Sequence, residues 1–433
     1  QAQAVGLPDL VMQPRRAIIA AFSTRKPFMS HKTWRTTAVI IVCGSIILIV
    51  GNGLRSTSGL FLQPMTMAQG WTRETFSLAI ALQNVFWGLG GPFFGAIADK
   101  HGAGRSLAIG TLLMAAGHFG MAYSQTGAAL ILSAGVLIGF GVSGTGLAII
   151  LSVFARQVEP RYRSMVMGLG TAAGSLGQFV MLPLGQALIT AFGWQQALVL
   201  QALMMALVLP LSFAVGGKPR HTSAAGQPDQ SVMEAVRAAW RDRSFRLLFA
   251  GYFTCGFQVV FIALHLPSYL VDKGLSPTLG AAAIATVGLT NIFGSLASGW
   301  LGGRYSKKYL LSGLYLCRSV VIAAFVFLPL STASVYLFSA FIGLFWLSTV
   351  PLTQGLVGQR YGLRYVSTLS GIVFLGHQIG SFLGAWLGGR IFDATGSYQI
   401  AWWLIIASGV YAAIVHLPIR ETSIAMPAKA AAT

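Results

Sequence analysis

GAIADKHGAGR, residues 95–105, and GWLGGRYSKKY, residues 299–309, stand 204 positions apart, each a short, basic, glycine-rich loop between two long apolar stretches. Two further pairs keep nearly the same offset. GWTRETFSLAIAL from Gly70 answers GLSPTLGAAAIAT from Gly274 at 204, and FGWQQAL around Gly193 answers TGSYQIAWW around Gly396 at 203. Self-similarity at one fixed period marks a duplicated unit. Each copy holds six apolar stretches, so the chain reads as six spans made twice.

The stretches belong in lipid. Hydrophobic residues make up 55% of the 433 positions and charged residues 9%, where a soluble domain carries roughly 25% charged. Runs of about 20 apolar residues, each long enough to cross a hydrocarbon core as a helix, follow one another down the chain. Spans are expected at 37–67, 75–98, 105–124, 128–155, 164–190, 194–215, 247–271, 278–303, 309–329, 333–359, 365–391 and 397–417. The fold class is therefore an all-α membrane protein with 12 transmembrane helices in two pseudo-symmetric six-helix bundles. Its expected parts are a tail over 1–36, a bundle over 37–215, a linker over 216–246, a bundle over 247–417 and a tail over 418–433. The polar linker ends in the basic, amphipathic SVMEAVRAAWRDRSFR and would join two bodies able to rock against each other.

A net charge of +19 suggests nucleic acid, but the basic residues form neither one patch nor an aromatic-interleaved face. They mark topology instead. On this map 24 of the 29 Lys and Arg fall on the side of the termini, three (Arg73, Lys273, Arg390) on the other side, and two within spans. The positive-inside rule makes the termini cytoplasmic. Glu74, Asp272 and Asp393 fall outside. Cys43, Cys255 and Cys317 lie within spans without ligand spacing, so they read as packing residues, with no metal site and no cofactor. Residues 1–36 carry six basic side chains without the apolar core of a signal peptide and read as a cytoplasmic tail.

The two basic residues within spans are Arg55 and Arg318, and none of the ten Asp and Glu joins them. A guanidinium keeps its proton in a protein and costs about 3 kcal/mol at the bilayer centre on insertion scales. An anionic ligand from outside the chain would supply the missing partner of at least one of them. Arg55, 18 residues past Thr37, is expected beyond the membrane midpoint towards the outside, in the polar, glycine-rich run GNGLRSTSG. Snorkelling to the outer headgroups is the alternative. Arg318, near the middle of the ninth span, is expected either to contact substrate or to be satisfied by backbone carbonyls and polar neighbours.

GAIADKHGAGR resembles the signature loop of the major facilitator superfamily, and GGRYSKK its degenerate second copy. The first hairpin (GLRSTSGLFLQPMTMAQGWTRETFSLAIALQNVFWGLGGPFFGAIAD), the stretch KKYLLSGLYLCRSVVIAAFVFLP and the last pair (GIVFLGHQIGSFLGAWLGGRIFDATGSYQIAWW) are similar to the bacterial YcxA-like branch, a neighbour of the monocarboxylate porters. The resemblance covers roughly residues 36 to 420. It implies a multi-pass protein of the bacterial inner (plasma) membrane, surrounded by lipid and monomeric. It also implies that Gly95, Asp99 and Arg105 latch the inward-closed state, with Gly95 letting two helices touch and Asp99 pairing with Arg105. Gly303 replaces the usual Asp in the second copy, which would make the latch asymmetric. Arg55 matches the place of a first-span Lys in the monocarboxylate porters. Asn291 and Ser295 stand where those porters carry an Asp and an Arg, so that chemistry is not simply inherited.

The helices that line the cavity in that fold carry Asn84, Gln258, His265, Asn291, Gln354, His377 and Gln378, which with Arg55 and Arg318 form the pool of candidate substrate-binding residues. Helix-to-helix hydrogen bonding is the competing role for each. His265 and His377 are the candidates for carrying a proton, being the groups on those helices that titrate near neutral pH. Trp346, Phe257, Tyr252 and Phe345 are candidates for an aromatic wall.

The function expected is secondary active transport of a small organic anion, a monocarboxylate, by alternating access, with proton symport ahead of anion exchange. Export of an amphipathic or drug-like compound is a rival, disfavoured for cations by the lack of a buried acid. A non-transporting receptor is another. No HExxH, nucleophile elbow, paired carboxylates or Walker loop is present, so the chain does not read as an enzyme.

Overall fold

The computed structural model describes residues 31–158, 163–216, 232–362 and 366–423. Among these, ten helices are long and apolar enough to cross a membrane. One of them, Val166–Val215, is two spans in line, because Gly193 with φ 79° breaks the helical path between them. With the 20-residue helix Ala103–Ala122 this makes twelve segments. In order they are Thr37–Gln69, Arg73–Ala98, Ala103–Ala122, Gly127–Phe154, the two halves of Val166–Val215, Arg243–Asp272, Pro277–Gly302, Lys307–Phe327, Thr332–Tyr361, Thr368–Thr395 and Gln399–His416. They are called the first to twelfth spans below.

The repeat offsets coincide with the chain's turning points. Gly70 and Gly274 both adopt positive φ, 65° and 81°, and so do Gly193 and Gly396, at 79° and 68°. A side chain at these four corners would be strained, which explains why the glycines recur. Thr72 and Ser276 then cap the second and eighth spans, accepting hydrogen bonds from the amides of Thr75 and Leu279.

Small residues set the helix distances. A Cβ added at Gly380 would strike the Phe253 carbonyl, and at Gly384 the Phe257 carbonyl, so the seventh and eleventh spans touch backbone to backbone. Gly380→Leu is therefore expected to prevent stable folding or to lower the detergent melting temperature by more than about 5 °C. Gly313→Leu, where an added Cβ meets nothing, is the matched control in the same melting assay.

The apolar cores centre on the halves but cross between them. Phe261, Tyr315, Ile342 and Trp402 belong to a cluster mostly of the second half that also takes in Leu60 and Leu182, and Phe61, Met65, Phe76 and Met114 to one mostly of the first that takes in Val260, Leu264 and Ala385. On the terminus side the second half is pinned by Asp242, which caps the seventh span through the Ser244 amide. Asp242 also receives Arg360 at 2.6 and 3.1 Å and the Tyr361 hydroxyl at 2.5 Å. Burial alone would raise the Asp242 carboxyl, but these donors hold it below its ordinary value. A carboxylate lowered on folding stabilises the fold above its unfolded pKa, and that contribution is lost as pH falls through the folded value. Asp242→Asn should thus melt roughly 2–5 °C below wild type at neutral pH, with the gap closing below about pH 4.

The amphipathic stretch before the seventh span is helical over Val232–Arg241, with Ala235 and Ala239 buried. Residues 217–231 of the expected linker lie outside the described residues.

Candidate functional site

The two halves meet along the second and eleventh spans and along the fifth and eighth. At mid-depth the contacts are polar. Gln378 donates to the Asn84 carbonyl at 2.8 Å, Gln178 to the Ile284 carbonyl at 3.0 Å, and Asn291 to the Ser175 hydroxyl at 3.0 Å. Along the same helical stripes, one or more turns nearer the terminus side, stand Gly91, Gly95, Gly168, Gly299 and Gly371. An added Cβ at any of them meets nothing within 4 Å. On the opposite side Gly59 abuts the Ala263 and Leu264 carbonyls, and Gly389 abuts that of Arg73. The halves are apart on the side of the termini and closed on the far side.

Charge holds the far side shut. Arg73 grips Asp272 through both terminal nitrogens, at 2.6 and 2.7 Å, donates to the Tyr398 hydroxyl at 2.9 Å, and lies 3.7 Å above the Phe392 ring. Asp393 accepts from the amides of Arg73 and Glu74 at 3.1 and 2.6 Å, so a carboxylate of the second half caps the positive end of a helix of the first. Glu74 in turn takes Arg390 at 3.0 Å and the Trp386 indole at 2.9 Å. Every charged far-side residue of the topology map except Lys273 is in this seal. The sequence placed those residues on one side without showing that they pair.

Arg55 sits in the interface at the inner edge of that closed half. The first span is helical to Ser56, turns at Thr57 and resumes as Ser58–Gln69, close to its expected bounds. Arg55 falls two residues past the middle of Thr37–Gln69. Its partner Asn84 is about 16 Å along the second span from Arg73, close to the middle of a ~30 Å hydrocarbon core. One Arg55 terminal nitrogen donates to Asn84 Oδ1 at 2.9 Å, and its guanidinium carbon lies 4.4 Å from the Trp87 ring centre. Its Nε is buried without a partner. The space in front of it, small and partly open, is lined by Ser58, Gln83, Gln178, Val260, Ile284 and Trp346 among others. Gln83 and Gln178 line the space although neither is in the pool of candidates drawn from the sequence.

The remaining candidates divide. Asn84 joins Arg55 directly, Gln378 reaches the Asn84 carbonyl, and His377 follows with Nδ1 3.1 Å from Gln378 Oε1 and its ring stacked on Phe374. Asn291 bridges the halves and also accepts from the Leu347 amide at 3.0 Å. Gln258 is turned inside the second half, donating to the Ile405 carbonyl at 2.8 Å. His265 is fully buried there, with Nε2 2.8 Å from the Ala385 carbonyl and Nδ1 3.2 Å from the Tyr398 hydroxyl. Gln354 is half-buried. Of the aromatic wall, Trp346 lines the space, whereas Tyr252 is buried in the second half.

Arg318 is fully buried within the second half, away from the space before Arg55. Backbone carbonyls do not satisfy it, contrary to the expectation. Its one hydrogen bond runs to Cys255 Sγ at 3.7 Å, its guanidinium faces the Tyr315 ring at 5.8 Å, and Nε and Nη2 have no partner. Cys255 therefore does more than pack. Of the expected latch, Gly95 touches no helix in this arrangement and Arg105 is exposed, while the Asp99 side chain lies outside the described residues.

Residues 41–385 match the family model described as Major Facilitator Superfamily. The chain is 27% identical over 362 residues to the uncharacterized MFS-type transporter YcxA of Bacillus subtilis, covering 81% of this chain and 86% of that one. It is 27% identical over 360 residues to monocarboxylate transporter 13 of Bos taurus, covering 78% and 79%. Among solved structures, the nucleoside transporter NupG (D323A mutant) superposes with a TM-score of 0.72 over 88% of this chain and 99% of that one, at 13% identity.

Proposed function

Because the chain belongs to the major facilitator superfamily and is a multi-pass membrane transporter rather than an enzyme, we propose that it moves a small organic anion, a monocarboxylate, by alternating access. The observation that carries the reading is Arg55: a cation at mid-depth, between the two halves, with a buried N–H aimed at no protein atom. No carboxylate of the described residues bonds to it. A substrate carboxylate taking the free N–H groups would cancel a charge that the fold leaves exposed to the cavity. The apolar wall of Val260, Ile284 and Trp346 suits a compact organic body behind it. The monocarboxylate transporters among the relatives point the same way.

In this reading the arrangement is open towards the cytoplasm, since 24 of 29 Lys and Arg lie on the terminus side. The cluster of Gly95, Asp99 and Arg105 would close in the opposite state, which agrees with the open space around Gly95 here. The substrate contacts are Arg55 and Asn84, with Gln378, Asn291 and Gln178 reporting occupancy across the interface. Arg318 is structural, and Gln258 and His265 do not touch substrate. A proton is the coupled ion, carried by His265 or His377, which lie beside the halves' contacts.

The test is a thermal-shift screen of purified protein against small carboxylates, followed by uptake of the stabilising acid into proteoliposomes with and without a proton gradient. Stabilisation by one acid, together with gradient-driven uptake, is expected. Uptake driven only by a counter-loaded anion would replace symport by exchange. Binding without movement would make the protein a receptor.

A further inference from the structure

The far-side seal and the buried His265 share one hydroxyl group, and the donor directions around it are fixed by chemistry. Ala385 O can only accept, so His265 Nε2 carries the hydrogen at 2.8 Å. In the neutral ring Nδ1 is then bare and takes the Tyr398 hydroxyl hydrogen at 3.2 Å. The same Tyr398 oxygen accepts from Arg73 Nη1 at 2.9 Å. A continuous chain thus runs from Ala385 O through His265 and Tyr398 to Arg73, the arginine that closes the seal on Asp272. We propose that His265 is the proton-binding residue that operates the far-side seal, acting through Tyr398 on Arg73. This inference rests on the proton-coupled reading above and specifies its mechanism.

A proton arriving at Nδ1 must be met by the hydroxyl, because the ring cannot swing aside. A Cβ at Gly388 would strike the imidazole, Phe261 packs 5.3 Å from it, and His265 is 0% exposed. With Nδ1–H now a donor, the Tyr398 oxygen would accept from both His265 and Arg73, and its own hydrogen must leave His265. The acids near Tyr398 are Asp272, at the end of the seventh span, and Asp393, at the end of the eleventh. Both are already in use by the seal, so the displaced hydroxyl competes with Arg73 and the Arg73 and Glu74 amides for them. At the same time a second positive charge stands behind the hydroxyl that Arg73 leans on. Both effects loosen the closed far side. The titratable and charged groups facing His265 are accounted for: Tyr398 at the start of the twelfth span, Arg73 from the second, Tyr269 and Asp272 on its own helix, and Asp393 from the eleventh.

The experiment measures the seal without any organic anion present. Spin labels go on Ala68 and Thr278, exposed far-side positions of the two halves, with Cys43 and Cys317 replaced by Ala and the buried Cys255 kept beside Arg318, and their separation is followed by electron paramagnetic resonance. Wild type should be mostly closed at about pH 7, with the separated population rising at least about threefold by about pH 4. His265→Gln keeps both hydrogen bonds, donating to Ala385 and accepting from Tyr398, but cannot take up the proton. It should stay closed across the range. Tyr398→Phe should raise the separated population at both pH values and remove the response. A full pH response in His265→Gln, or none in wild type, overturns the inference. A pH-dependent seal in a protein that transports no carboxylate would leave the relay standing and remove the anion reading instead.

Discussion

Arg55→Gln abolishes the stabilisation conferred by the transported acid and lowers its uptake by about 100-fold. The guanidinium would lose a charge-assisted, two-pronged contact with a carboxylate, worth about 3 kcal/mol in a partly desolvated site, and 1.4 kcal/mol is a factor of ten. The protein itself should not suffer. Arg55 gives the fold one hydrogen bond, to Asn84, and a ring contact with Trp87, while it carries a desolvated charge that Gln lacks. An unchanged or raised melting temperature without ligand is therefore expected alongside the loss of the ligand's effect. Arg55→Lys separates charge from geometry. It keeps the cation but not the planar fork, so binding should fall roughly tenfold rather than 100-fold. Thermal shift, with uptake on the same preparations, checks all three. An acid that stabilises Arg55→Gln as strongly as wild type removes Arg55 from the site.

The surroundings of Arg55 are where sequence reasoning stopped short. Composition, the twelve apolar runs and the 204-residue offset carried the fold, because a span is recognisable from its own residues and the left-handed glycines mark its ends. Side-chain direction is not legible in the same way. Gln258 and Gln378 are both glutamines in mid-span, yet one bonds within its own half and the other across the interface. A list of polar residues on cavity helices cannot separate them, since rotation of each helix is fixed by packing against the others. The partner of Arg318 was not legible either, because the group found beside that arginine is a cysteine thiol, which a tally of formal charges passes over.

The far-side seal carries the other large effect. Asp272→Asn removes the anion that Arg73 grips with both nitrogens in a setting where the two side chains are only 11% and 24% exposed. Arg73 keeps Tyr398 and Phe392, so it is not left bare, and the loss should amount to about 2–3 kcal/mol of closed-state preference. That is a shift of roughly 30- to 150-fold in the ratio of closed to open far side, enough to bring a 99:1 equilibrium to near parity. A cysteine at Ala263, beside the Gly59 contact, reports it. In a background lacking Cys43 and Cys317, with the buried Cys255 kept, its labelling by a membrane-impermeant thiol reagent from the far side should accelerate by at least about 30-fold in Asp272→Asn. Asp393→Asn should act in the same direction but less strongly, because it loses a helix cap with two backbone donors rather than a charge pair. The two substitutions share Arg73, so their combined effect should fall short of the product of the single effects. Unchanged labelling in Asp272→Asn would mean that apolar packing, not this ion pair, keeps the far side closed.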